Sequence, residues 1–150
     1  MHLYCNVNCC PYDGLCGNGL AESPKLFLGK SVRTKALGVV AAENIDAGEV
    51  LGQYLGEIEH CTERPSWPVK VVINAKKMGG LMRFANHSCE PVAKFVEVAN
   101  GRRTTVVVAT TKRIRRGQEI TVDYGDDPWF VCRCRLDKCC HRDIQSQEDP

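Results

Sequence analysis

The chain has 150 residues, with 20 Lys and Arg against 18 Asp and Glu for a net charge of +2. That length bounds it to one domain with one core, and the near balance of charge excludes a general nucleic-acid binder, which is clearly basic. No run of about 18 apolar residues could cross a membrane, and the N-terminal Met-His-Leu-Tyr-Cys lacks the apolar core of a signal peptide.

In chain order, residues 1–24 are rich in Cys, Asn and Gly and carry no periodicity. They read as a cysteine-rich segment that needs metal to hold its shape. Cys5, Cys9, Cys10 and Cys16 suffice in number for one zinc, although adjacent Cys9 and Cys10 rarely both ligate one ion. The ten cysteines of the chain have two readings, zinc ligands or a disulfide framework, and the absence of a secretory signal favours zinc. From Lys25 the pattern changes to short β-branched and apolar runs between turn signals. Strands are expected at 26–28, 38–42, 50–54, 69–74, 93–98, 104–109 and 119–122. Asp46-Ala47-Gly48, Asn100-Gly101 and Arg116-Gly117 are the turns between them. Helix is confined to one short turn near 80–84, because Pro65 and Pro68 break what precedes it. Residues 143–150 are a polar tail. The chain is therefore mainly β with little helix, and propensity alone leaves barrel, sandwich and irregular sheets open.

Three segments carry chemistry: Arg83-Phe84-Ala85-Asn86-His87-Ser88-Cys89, then Ile120-Thr121-Val122-Asp123-Tyr124-Gly125, then Cys132, Cys134 and Cys139 as C-x-C-x4-C. Taken singly each has a plain reading. Asn86, His87 and Ser88 would make turn and capping bonds, Tyr124 would be a strand-end core aromatic, and the cysteines would be buried thiols. Lys112-Arg113-Ile114-Arg115-Arg116 reads as a solvated face rather than an import or phosphate signal, and Cys61 has no apparent partner.

In this order the segments resemble the core of SET-domain protein lysine methyltransferases, over about residues 30 to 140. The resemblance implies a β-clip fold of several small curved sheets, a knot-like C-terminal threading and zinc-stapled ends. It divides the chain into a partial pre-SET or AWS-like segment (1–24), a SET domain (25–127), a post-SET zinc motif (128–142) and the tail. It further implies methyl transfer from S-adenosylmethionine to a lysine of a protein, most plausibly a histone tail, and a nuclear, chromatin location. By resemblance, Tyr124 and Tyr54 are catalytic. Lys35, Leu37, Gly38, Arg83, Phe84, Asn86, His87, Tyr124 and Trp129 contact or shape the cofactor site. Trp129 and Phe130 pack on the adenine, line the lysine channel, or anchor the post-SET loop to the core. Cys89 joins Cys132, Cys134 and Cys139 as the fourth zinc ligand, with Cys140 as a competitor. Nothing points to a direct nucleic-acid site.

The chain departs from the family pattern in places. Ala36 replaces the first glycine of a Gly-x-Gly turn, at about 1 kcal/mol if that position needs positive φ. Val92 replaces a frequent Asn, and Val122 replaces an aromatic that tunes methylation state. The insert between Glu57 and Arg83 is short. Two other classes compete: a catalytically weak SET module that binds peptide or assembles a complex, favoured by Ala36 and the short insert, and a zinc interaction domain without activity.

Overall fold

A computed structural model describes residues 3–5, 8, 10–12, 18–31, 35–60, 71–100, 103–125 and 130–142. Among the described residues ten strands make four small sheets, joined by one short 3-10 turn. The largest has the order β1-β8-β9-β4, formed by Leu3–Tyr4, Ala93–Asn100, Arg103–Thr110 and Val50–Gln53. Its centre is the β8–β9 hairpin, antiparallel from Ala93↔Thr110 to Asn100↔Arg103. Val106, Val107 and Val108 fit this centre because a branched side chain packs well on a pleated surface with neighbours on both sides. Val107 and Val108 are wholly buried.

β2 (Leu26–Lys30) pairs antiparallel with β3 (Leu37–Ala41). β5 (Glu57–His60) pairs with β6 (Val71–Asn74). β5 was not among the expected strands, and Glu57-Ile58-Glu59-His60 has one apolar residue. Its strand form is selected by pairing with Val71–Asn74. Positive φ at Gly48 (87°) and Gly117 (81°) closes two of the three expected glycine turns; Gly101 of the third lies outside the described residues. The basic run follows the solvated reading: Lys112, Arg113, Arg115 and Arg116 are exposed around buried Ile114, which bridges to Ile45.

The fourth sheet positions the site. β7 (Asn86–His87) runs parallel to β10 (Thr121–Val122), with Asn86 opposite Thr121 and His87 opposite Val122. Two segments far apart in sequence are thereby joined, and Ser88 N–H extends the pairing by donating to Val122 O at 3.0 Å. Under them lies a core of Val39, Ala41, Leu51, Met82, Ala85, Ile114, Ile120 and Val122. Val122 is wholly buried in it. Glu119 sits just before β10 in a single bridge to Val40 of β3, rather than inside a continuous strand from 119.

Candidate active site and zinc centre

The approach to the site is the 3-10 turn η1 (Leu81–Phe84). Its first N–H, that of Leu81, donates to Glu22 Oε1 at 2.6 Å. The chain leaves η1 at Ala85 in an extended conformation and enters β7. Ala85 O accepts a hydrogen bond from the Tyr124 hydroxyl at 2.7 Å. Burial, with smaller contributions from Tyr54 and the Glu119 carboxylate, pushes the Tyr124 phenol up to about 12. Tyr54 packs edge-on against Phe95, with ring centroids 4.9 Å apart, and burial raises its phenol too, against the pull of Arg83. Phe130 meets Tyr124 edge-on at 5.1 Å.

His87 is held between these aromatics and the cysteines. Its ring lies 4.8 Å from Phe130 and 5.6 Å from Tyr124. Tyr124 N–H donates to His87 Nδ1 at 3.2 Å. A ring nitrogen that accepts carries no proton, so the neutral ring bears its proton on Nε2, which faces Cys89 Sγ at 3.6 Å. Burial lowers the His87 pKa, which outweighs the opposing Asp123 charge and fits the neutral form. The 3.7 Å approach of Asp123 Oδ1 to His87 is accordingly not an ion pair; that oxygen accepts the Gly125 N–H at 3.0 Å.

The ligand atoms of Cys89, Cys132, Cys134 and Cys139 all lie within 4.8 Å of one another. Sγ separations are 3.8 Å for Cys89–Cys132, 3.7 Å for Cys89–Cys139 and 3.6 Å for Cys132–Cys139. A tetrahedral zinc with Zn–S bonds of about 2.3 Å requires S···S edges of about 3.8 Å. The four thiols therefore fit zinc in number, element and spacing, and no disulfide joins them. Burial pushes Cys132 up to about 11 and raises Cys89 as well. At Cys134 burial also raises the thiol, but hydrogen bonds from the Leu136 and Cys89 backbone and from neighbouring thiols bring it down to about 7. Collecting thiolates at such a buried place is costly unless a divalent cation shares it. His141 N–H donates to Cys139 Sγ at 3.3 Å, a bond of the kind that steadies a metal-bound thiolate. Cys140 is exposed and stands outside the group. Among the described residues Cys5 and Cys10 join no group of three ligands; Cys9, Cys16, Cys61 and Trp129 lie outside the described residues.

A cleft of about 820 Å³ opens beside these four thiols. Its lining includes Gly38, Asn86, His87 and Tyr124 from the expected set, together with Phe27, Gly29, Glu119, Phe130 and Arg133. Lys35, Leu37, Tyr54, Arg83 and Phe84 are not on its wall. Leu37 touches the site through its carbonyl, which accepts from Asn86 Nδ2 at 2.9 Å. Arg83 instead donates to Lys76 O and lies 5.1 Å from the Phe84 ring centroid, on the side where its charge reaches Tyr54. Positive φ falls at Lys35 (60°) and not at Ala36, so the alanine carries no such penalty. Gly38 has no positive φ either; a Cβ there would run into Glu119 Oε1 and come within 3.1 Å of Asn86 Nδ2. The cleft thus offers aromatic faces, close backbone, an amide and a carboxylate, which suits a cationic ligand bearing an aromatic ring. Sequence reasoning missed Phe27 and Gly29. The signal was present in the alternation of β2, since both pair with the cleft residues Val40 and Gly38.

The chain is similar to a "Probable histone-lysine N-methyltransferase set-23" of Caenorhabditis briggsae, 29% identical over 172 aligned residues, 90% of this chain and 69% of that protein. It is similar to a "Histone-lysine N-methyltransferase, H3 lysine-4 specific" of Schizosaccharomyces pombe, 32% identical over 141 residues, 79% of this chain and 15% of that protein. A "Histone-lysine N-methyltransferase, H3 lysine-36 specific" of Yarrowia lipolytica is 28% identical over 133 residues, 73% of this chain and 17% of that protein. The chain thus spans less than a fifth of the last two. The model of the SET domain matches residues 36–125, which contain β7, β10, Cys89 and Tyr124, and on that match the chain belongs to the SET-domain family.

Proposed function

We propose that this chain is a protein-lysine N-methyltransferase that uses S-adenosylmethionine and acts on a histone in chromatin. The observation that carries the reading is the Tyr124 hydroxyl, fixed on Ala85 O at the wall of a cleft shared with Asn86 and His87 and bordered by four converging thiols. On this reading Gly38, Asn86 and His87 receive the cofactor, with Phe27 and Phe130 as its aromatic contacts. Cys89, Cys132, Cys134 and Cys139 hold a structural zinc that staples the 130–142 segment beside the cleft. Residues 25–127 form the catalytic domain and 128–142 its zinc-held flank.

When bound, S-adenosylmethionine supplies a methyl group on a sulfonium. The protein's task is to present a neutral amine to it. A free lysine has a pKa near ~10.4 and is protonated at neutral pH. The half-buried aromatic wall of Tyr124 and Phe130, with Tyr54 close enough to act on the Tyr124 phenol, disfavours the ammonium, which moves the amine towards its reactive form. Tyr124 is not the base, because its phenol stays neutral up to about 12. Its hydrogen is committed to Ala85 O, so the oxygen's lone pairs remain to orient the amine. Orientation of this kind supplies a large share of the barrier reduction.

Of the two grounds for a weak module, Ala36 no longer counts, since the strained position is Lys35. Relatives of comparable identity are named for different lysines of one histone, so the proposal extends to the substrate class and stops short of the lysine. The test is transfer of label from tritiated S-adenosylmethionine to core histones and nucleosomes by zinc-loaded protein. Label that is lost in Tyr124→Phe supports the reading. Zinc-loaded, folded protein that neither binds cofactor nor labels a histone overturns it.

A further inference from the structure

Glu119 is not one of the four-thiol group and acts on Tyr124 only through its charge, yet it faces the cleft and shapes the residue opposite. Asn86 Nδ2 lies 2.9 Å from Leu37 O and 2.7 Å from Glu119 Oε1. Both partners can only accept, so the amide must turn its nitrogen to them. The Asn86 oxygen is thereby left as the group this side chain offers to the cleft. Leu37 O alone would allow other rotamers; the carboxylate adds a second, charge-assisted bond and locks one. The fold makes room for it. Glu119 is anchored by its bridge to Val40, with Ile120 N–H donating to Val39 O at 2.8 Å and Ala41 N–H to Gln118 O at 3.0 Å. Its carboxylate occupies the space that a side chain at position 38 would take. Gly38 is therefore an opening for the Glu119–Asn86 pair rather than a turn residue.

We propose that Glu119 is a positioning residue for the cofactor: it holds the Asn86 amide so that its oxygen accepts from the ammonium of the amino-acid part of S-adenosylmethionine. The carboxylate also adds negative potential on the wall where a cationic ligand sits. This inference rests on the cofactor reading above, and its test separates the two. S-Adenosylhomocysteine carries the amino-acid part, whereas 5′-methylthioadenosine keeps the nucleoside and sulfur and lacks it. Affinities of both are measured by calorimetry on zinc-loaded wild type, Glu119→Ala and Glu119→Gln, with folding followed by circular dichroism.

Glu119→Ala is expected to weaken S-adenosylhomocysteine roughly tenfold, the loss of one charge-assisted hydrogen bond. It should leave methylthioadenosine within about twofold. Glu119→Gln keeps an oxygen acceptor and should restore most of the lost affinity. Equal weakening of the two ligands would mean a merely structural carboxylate, and no weakening of either would mean an idle one; both overturn the proposal. If wild type binds neither ligand, the cofactor reading fails first and this inference falls with it.

Discussion

Tyr124 and Gly38 concentrate the chemistry at the scale of single residues. Tyr124→Phe removes only an oxygen, and the ring keeps its edge contact with Phe130. The expected result is a fall in kcat of roughly 100-fold, the scale of losing one preorganised polar group, with S-adenosylhomocysteine affinity little changed. A single-turnover assay beside a binding titration checks this. Because the phenol titrates only near about 12, the rise of rate from pH 7 to 9 should follow the substrate amine. In the residual activity of Tyr124→Phe that rise should keep its shape, and a flattened profile would make Tyr124 the base. Gly38→Ala should weaken cofactor binding by up to about tenfold, since the new Cβ displaces the Glu119 carboxylate from Asn86 and crowds the amide itself. The same titration reads this change. Asn86, His87 and Tyr124 were legible as motif letters in the sequence. The locked orientation of Asn86 was not, because it depends on an acceptor 33 residues away.

Among the elements, η1 and β7 show how packing rather than propensity places the site. η1 has no side-chain cap of its own; its first N–H is satisfied by Glu22, from the segment that precedes the SET match. That segment is also tied down by Ser23 N–H to Leu51 O at 2.8 Å and by Gln53 Nε2 to Leu20 O at 3.3 Å. Gly52 lets it approach, with Glu22 and Met82 both 3.3 Å from where a Cβ would stand. Glu22→Ala should cost about 1 kcal/mol in urea unfolding. It should also lower kcat more than cofactor affinity, because η1 leads directly into Ala85, the partner of Tyr124. An unchanged kcat would separate the N-terminal segment from catalysis. The short turn near 80–84 was expected from sequence; its dependence on Glu22 was not, since nothing local marks a glutamate 59 residues away as a cap.

For the whole molecule, the four converging thiols are where fold and proposed function meet. The four cysteines come from β7's exit and from the 132–139 run, so an ion bound there ties the C-terminal segment to the centre of the domain. Chelation should lower the melting temperature and remove cofactor affinity together, because Phe130 and Arg133 of the cleft wall belong to the tied segment. Zinc should restore both. Cys89→Ser should reproduce the loss, and Cys140→Ser, exposed and outside the cluster, should leave zinc content and melting unchanged. Metal analysis with thermal melts reads each case. The sequence by itself determined the strand-rich class, the turns at Gly48 and Gly117, the family and the motif segments that carry Asn86, His87, Tyr124 and the four converging cysteines, because those follow from local φ preferences, side-chain period and motif order. Only the tertiary structure decided that β5 is a strand, that strain falls on Lys35 and not Ala36, that Arg83 turns from the cleft towards Lys76 and Tyr54, and that Glu119 faces Asn86. Each depends on what lies across a sheet or a cleft from the residue, and a partner brought there by long-range pairing leaves no mark on the neighbouring letters of the chain.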